Sequence, residues 1–235
     1  MDQTTNSQPL YSPLHLEKQY VSRLSRLTRW MNRGVRSKLK TAGNNWEETL
    51  NSLSAKYSRL FEAAAPAMFS PMLEGTEKEL DRLFTVTPSE ATKEILKKSA
   101  ELNTEAIKNI PIDHVERIRD SLIEHPGDLE KLTSILEEVD GKSERQARNV
   151  ALGLTRKTYQ DLALEKAQQT GATEGDWIHS HGSKVPRPRH LAFHGKRFKL
   201  ADGAPVGDDG GNYVQPGEEY GCKCTFRIVI DFGVK

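Results

Sequence analysis

Between residues 14 and 170 the apolar positions recur every three or four residues, and at Gly171 that period stops. Tyr20, Val21, Leu24, Leu27, Trp30, Met31, Val35 and Leu39 form one stripe, which predicts a helix from Leu14. Arg23, Arg26, Arg29, Arg33 and Arg36 lie on its other flanks, so this helix is amphipathic and basic. Gly34 weakens it and Gly43–Asn45 ends it. Residues 46–84 predict further helix, with Trp46, Leu50, Leu53, Tyr57, Leu60 and Phe61 on one face and breaks at Pro66 and Pro71. A third helix opens near Ser89 and stops at Asn109–Pro111, because a residue before proline is pushed out of the helical region. Two short helices follow, at 112–124 and 127–139, parted by His125-Pro126-Gly127, and Asp140-Gly141 reads as a turn. Ser143 then opens a long helix, with Gln146 completing a capping box, and Gly171 caps its end after Gln169.

From Gly171 onward the chain holds eleven glycines, both cysteines and four histidines, with no helical period. Extended segments are expected at 176–179, 197–200 and 224–231. In the last, Phe226, Ile228 and Ile230 alternate with Arg227 and Val229. The expected fold is α+β: a mainly α-helical N-terminal region followed by a small loop-rich α+β C-terminal module with short antiparallel strands. The divisions fall at 1–12, a disordered lead; 13–125, the helical region; and 126–235, the C-terminal module.

Composition changes little in this picture. Hydrophobic residues at 36% and charged residues at 29% suit exposed, charged helices. No run approaches the ~18 apolar residues of a membrane span, so no stable membrane insertion is expected. Met1–Gln8 is polar and reads as neither a secretory signal nor a transit peptide, so the chain is expected to begin life in a cytoplasm. Two cysteines with one residue between them make no disulfide framework and suit a reducing compartment.

Charge changes more. The net of +1 conceals blocks: +7 over residues 17–40, −9 over 41–140, +7 over 141–200 and −3 thereafter. Such segregation suits a protein that meets polyanions as well as other proteins. The basic helix reads as a phosphate-contacting surface, as a helix lying on an anionic membrane surface, or as a bundle helix with a solvated face.

Candidate chemistry concentrates in the C-terminal module. In an extended segment Cys222 and Cys224 project from one face, so both sulfurs can approach one ion. Zinc takes about four ligands, and His190, with a fourth from His179, His181 or His194, completes a set. A structural zinc would also help a small glycine-rich module to fold. The same residues also read as two buried free cysteines beside surface histidines. Pro186 and Pro188 stiffen their segment and hold Arg187 and Arg189 in similar directions, for phosphates, acidic partners or plain solvation. No nucleophile elbow, phosphate loop, dinucleotide fingerprint or His-Glu-x-x-His motif occurs. A metal-dependent nuclease or other DNA-processing enzyme using the histidines and cysteines stands as the alternative reading.

One resemblance covers roughly the last 110 residues. "PGDLEKLTSILEEVDG" precedes "KSERQARNVALGLTRKTYQDLALEKAQQTGA", then come "GDWIHS", "SKVPRPRH", "HGKRF", "PGEEYGCKC" and "TFRIVI". This order resembles the Mu F-like phage head morphogenesis family. Trp177, Arg187, His190, Gly195, Cys222 and Cys224 stand where that family's characteristic residues fall. Two departures are His181-Gly182-Ser183, where the family often has an Asp, and Thr155-Arg156-Lys157, where it often has Arg-Thr-Glu. The resemblance implies a minor head protein, present in few copies in the virion near the portal vertex and made in the host cytoplasm. It implies no enzyme and no small-molecule substrate. The implied partners are the portal and the capsid or scaffolding proteins. Arg23, Arg26, Arg29, Arg33, Arg36, Arg187 and Arg189 become candidates for contact with the portal or with double-stranded DNA.

Overall fold

The computed structural model describes residues 5–6, 8–125, 129–182, 185–219 and 221–230. The fold is α+β, helical in its N-terminal part and carrying short antiparallel strands in its C-terminal part. In chain order the elements are β1 (Thr5–Asn6), α1 (Leu14–Leu39), a 3-10 turn (Gly43–Asn45), α2 (Trp46–Asp81), α3 (Glu90–Glu124) and α4 (Leu129–Gln169). There follow β2 (Glu174–Ile178), α5 (Pro188–Ala192), β3 (Arg197–Lys199), β4 (Ala204–Pro205), β5 (Tyr213–Val214) and β6 (Thr225–Ile230).

The helices are longer than local sequence signals predict. α2 runs through Pro66 and Pro71, and α3 runs through Pro111. Each proline removes a donor and costs a helix interior about 3 kcal/mol or more. The buried stripe Phe61, Ala65, Phe69, Met72, Thr76, Leu80 nevertheless continues unbroken along α2. Pro66 and Pro71 cannot donate to the carbonyls of Glu62 and Ala67 one turn back, and both of those residues are exposed, where solvent takes up the lost bonds. Along α3 the stripe Asn103, Ile107, Ile110, His114, Ile118 likewise spans the proline.

The turn expected at Asp140-Gly141 is absent, because α4 continues through it. Its buried positions Leu136, Val139, Ser143, Ala147, Ala151 and Thr155 keep helical spacing, while Gly141 sits on the exposed side. Ser143 is therefore no N-cap: its hydroxyl donates to the Asp140 carbonyl one turn back and to Asn32 Oδ1. Gln146 bonds with Asp113 and Arg117 instead of closing a capping box. The break expected at Pro126-Gly127 lies outside the described residues. Gly171 does close α4, with φ +89° and the Gly171 amide bonded to the Gln168 carbonyl.

The described part of the lead is not disordered. Thr5 and Asn6 pair with Ile230 and Val229 of β6. Leu10 is buried, its amide donates to the Phe226 carbonyl, and its own carbonyl accepts from Gln160 and Thr225.

The chain divides into two compact units: residues 1–16, 73–97 and 155–235 form one, and 17–72 with 98–154 form the other. The second is helical, with Leu24, Met31, Leu50, Phe61, Ile107 and Ile118 fully buried. Gly34 has a packing role there, since a Cβ at that position would fall 1.9 Å from Tyr57 Oη. The unit also buries polar groups. Tyr20 donates to Asn103 at 2.6 Å, and Arg36 pairs with Asp140. His114 is fully buried, with its Nε2 3.8 Å from Asp140 Oδ1.

The first unit holds the sheet β1-β6-β2-β3, antiparallel throughout, and the hairpin β4-β5. β2 pairs centrally, Trp177 opposite Phe226 and Ile178 opposite Thr225. Its inner face packs on Tyr159, Leu162 and Ala163 of α4 and Leu80 of α2, with Trp177 at 0% exposure in the middle.

Candidate metal centre

Three segments meet at the end of this sheet. The β2–β6 register places the chain after Ile178 beside the chain before Thr225, so His179 and Ser180 come alongside Cys222 and Cys224. The approach to the cysteines is a tight loop with positive φ at Gly217 (+81°) and Gly221 (+72°), conformations that glycine adopts without penalty. On the third side α5 starts with Pro188 in its first turn, and it turns His190 inward to 2% exposure.

His190 Nδ1 lies 3.5 Å from Cys222 Sγ and 3.5 Å from Cys224 Sγ. All three donor atoms fall within 4.8 Å of one another, and all three residues are buried. A tetrahedral zinc with Zn–S of about 2.3 Å and Zn–N of about 2.05 Å sets its sulfur and nitrogen ligands about 3.5 Å apart. The observed spacing therefore fits zinc. One lone pair on Nδ1 cannot accept well from two thiols at once, whereas a cation between the three atoms satisfies all of them. Cys222, Cys224 and His190 are the residues that would hold such an ion, and zinc there would cross-link the loop before β6 to α5.

The surroundings suit thiolates. The Cys224 amide donates to Cys222 Sγ at 3.4 Å. The Trp177 indole N–H is buried without an oxygen or nitrogen partner, and it acts to stabilise a thiolate on Cys224. The Cys222 thiol is pushed down, chiefly by a hydrogen bond from Cys224, against burial and with further help from His190 and backbone amides. Cys224 is pushed up, because it supplies that shared proton and then faces its partner's charge in a buried place. For His190, burial opposes the charged form, but the Cys222 sulfur and Glu219 outweigh it and raise its pKa.

Behind His190 stands a residue that sequence reasoning missed. Glu219 Oε2 lies 2.8 Å from His190 Nε2. The contact is electrostatic, without hydrogen-bond geometry, and a carboxylate charge at the far nitrogen of a ligating histidine makes it a better donor. The signal was present in "PGEEYGCKC", an acid three residues before Cys222, but it had no assigned partner. Arg187 reaches the same carboxylate at 3.5 Å and Asp208 at 2.7 Å. The two prolines therefore do not present Arg187 and Arg189 together: Arg187 is engaged with these acids, while Pro188 starts a helix and Arg189 points into exposed space over Gly211.

The other predicted residues fall as follows. Trp177 packs edge-on against His190 with ring centroids 5.2 Å apart. Gly195 takes φ +77° in the turn before β3, and its amide donates to the Trp177 carbonyl at 2.8 Å. His179, His181 and His194 form their own cluster, with ring centroids 4.8 and 5.1 Å apart, and none joins the three-donor group. In α1, Arg23, Arg26, Arg29 and Arg33 are exposed and form no ion pair among the described residues. Arg36 differs, being tied to Asp140 and, at 3.8 Å, to Glu137.

Among the described residues no helix is long and apolar enough to cross a membrane. No protein-family model, curated protein or solved structure matches the chain.

Proposed function

We propose that this chain is a phage minor head protein, built around a structural zinc centre and acting in head morphogenesis at or near the portal vertex. Its work is contact with the portal and with capsid or scaffolding proteins, and the exposed α1 arginines Arg23, Arg26, Arg29 and Arg33 add contact with packaged double-stranded DNA. It is not an enzyme, and it resides in the virion after assembly in the host cytoplasm. The ordered motif of the last 110 residues is what brings the Mu F-like family into the reading. One observation supports it: Trp177, Arg187, His190, Cys222 and Cys224, spread over 48 positions of that motif, gather at one buried centre. A motif that specifies a folding centre suits a domain whose business is assembly. The cavity beside the centre, about 20 Å³, is too small for a nucleotide.

The test is composition of the particle. Heads purified on a density gradient should contain a few copies of the chain by quantitative mass spectrometry, and these should vanish when the portal gene is inactivated. Absence from both preparations would overturn the reading. The alternative is a metal-dependent nuclease, favoured by the group His190, Asp208 and Glu219, whose donor atoms also cluster. Arg187 binds both of those carboxylates, which leaves them poor ligands for a hard cation. Replacing His190 separates the two: a nuclease loses turnover and stays folded, whereas a zinc-built domain loses its metal and melts.

A further inference from the structure

Zinc takes four ligands, and this chain brings three to one point. The nearest histidines are prevented from supplying the fourth by the bonds that hold their rings. His179 Nδ1 accepts the His181 amide at 3.1 Å, and His194 Nδ1 accepts the His179 amide at 3.0 Å. A neutral imidazole that accepts at Nδ1 carries its proton on Nε2. Neither ring then has a free lone pair to offer an ion. His181 is exposed and stands edge-on to both, and among the described residues no further histidine, cysteine or carboxylate completes the group around the two sulfurs. Glu219 lies against Nε2, the nitrogen that does not face the cysteines.

Beside the three donors lies a cavity of about 20 Å³, lined also by His179, Ser180, Arg187 and Lys223. A water molecule needs about 10–15 Å³ measured this way, so the space holds roughly one. Closed structural zinc sites take all four ligands from the protein; with three and such a space, the fourth position takes water or another small donor, as it does in catalytic sites.

We infer that an ion held by Cys222, Cys224 and His190 completes its shell with an exogenous ligand, a water molecule or a small inorganic anion, with His179 lining that position rather than filling it. The inference rests on the zinc centre proposed above. It makes the centre chemically open, so that the ion exchanges one ligand with solvent while two thiolates and an imidazole stay fixed.

X-ray absorption at the zinc edge of the loaded full-length chain counts the ligands. The expected shell is two sulfurs, one imidazole and one light atom that is not imidazole. In the cobalt-substituted protein, added azide should shift the d–d bands. His179→Ala and His194→Ala should each leave the azide-free cobalt spectrum unchanged. A second imidazole in the shell, a spectrum blind to azide, or a ligand-field change in either of those variants would overturn the open position. Failure of the metal centre itself reads differently: the chain would retain no zinc, or Cys222→Ser and Cys224→Ser would retain it as well as the parent.

Discussion

Withdrawing zinc should lower the melting temperature of the chain by roughly 8–16 °C, a figure that follows from linkage and chain size. The proposed ion would bind only where His190 Nδ1, Cys222 Sγ and Cys224 Sγ are held 3.5 Å nitrogen to sulfur, an arrangement the unfolded chain does not keep. At free zinc about a thousandfold above the dissociation constant, a ligand specific for the native state adds about 4.1 kcal/mol. A chain of 235 residues shifts by roughly 2–4 °C per kcal/mol. The assay is thermal denaturation by circular dichroism in zinc buffers of stepped free concentration, with a chelator as the end point. The melting temperature should climb with the logarithm of free zinc, and Cys224→Ser should flatten that dependence. A parent chain whose melting temperature ignored zinc over the whole range, under reducing conditions, would refute the reasoning. Its two sulfurs and imidazole would then be no more than neighbours.

Four other outcomes are expected. Gly34→Ala should cost about 1–3 kcal/mol by overpacking, read as a lower urea midpoint, and Tyr57→Phe should restore much of it, because Tyr57 Oη is the atom a Cβ meets at 1.9 Å. His114 is pushed down to about 4 by burial and then by the Arg117 charge, so the unfolded chain takes up its proton first; the stability present above pH 6.5 is lost as pH falls toward 4. That loss is roughly 3 kcal/mol for a shift of this size, and His114→Phe should flatten the difference across that window in urea titrations. Replacing Arg26, Arg29 and Arg33 together with Ala should weaken binding to duplex DNA and reduce the slope of log affinity against log salt by about three; an unchanged slope in fluorescence anisotropy would remove α1 from the DNA surface. Lys166 is buried to 1% exposure and meets Asp81 at 2.7 Å, so Lys166→Ala should unfold the first unit at lower denaturant, whereas Lys166→Met should cost much less.

What the sequence revealed depended on the range of each signal. The stripe of α1, the alternation of β6 and the glycine after α4 are local, and all three were legible. The lengths of α2, α3 and α4 were not. Pro66, Pro71, Pro111 and Gly141 break helices by local propensity, but the buried stripes on either side stay in phase across them. Packing of the joined stripe outweighs a penalty of about 3 kcal/mol at each proline and about 1 kcal/mol at Gly141. Leu10 was lost for the opposite reason, since a short polar lead has no period and its partners lie far along the chain, at Gln160, Thr225 and Phe226. At the centre, Cys222, Cys224 and His190 were legible by residue type. Excluding the other histidines required knowing that backbone amides occupy Nδ1 of His179 and His194, which no spacing reveals.

The three-donor cluster and the hydrophobic core of the first unit are one object. Cys222 and Cys224 belong to the same buried cluster as Leu162, Phe198 and Phe226. Trp177 joins the two: its ring meets His190, Phe193 and Phe198 edge-on at 5.2, 6.2 and 5.9 Å, and its indole N–H acts on Cys224. The motif residues therefore divide by task. His190 and the cysteines would bind the ion, Arg187 fixes the carboxylate behind the histidine, and Gly195 closes the turn that pins the tryptophan backbone. Without an ion, the two sulfurs share a proton beside the indole. Because the two cysteines belong to that core and His190 packs on its Trp177, metal release and loosening of the sheet should proceed together rather than in sequence.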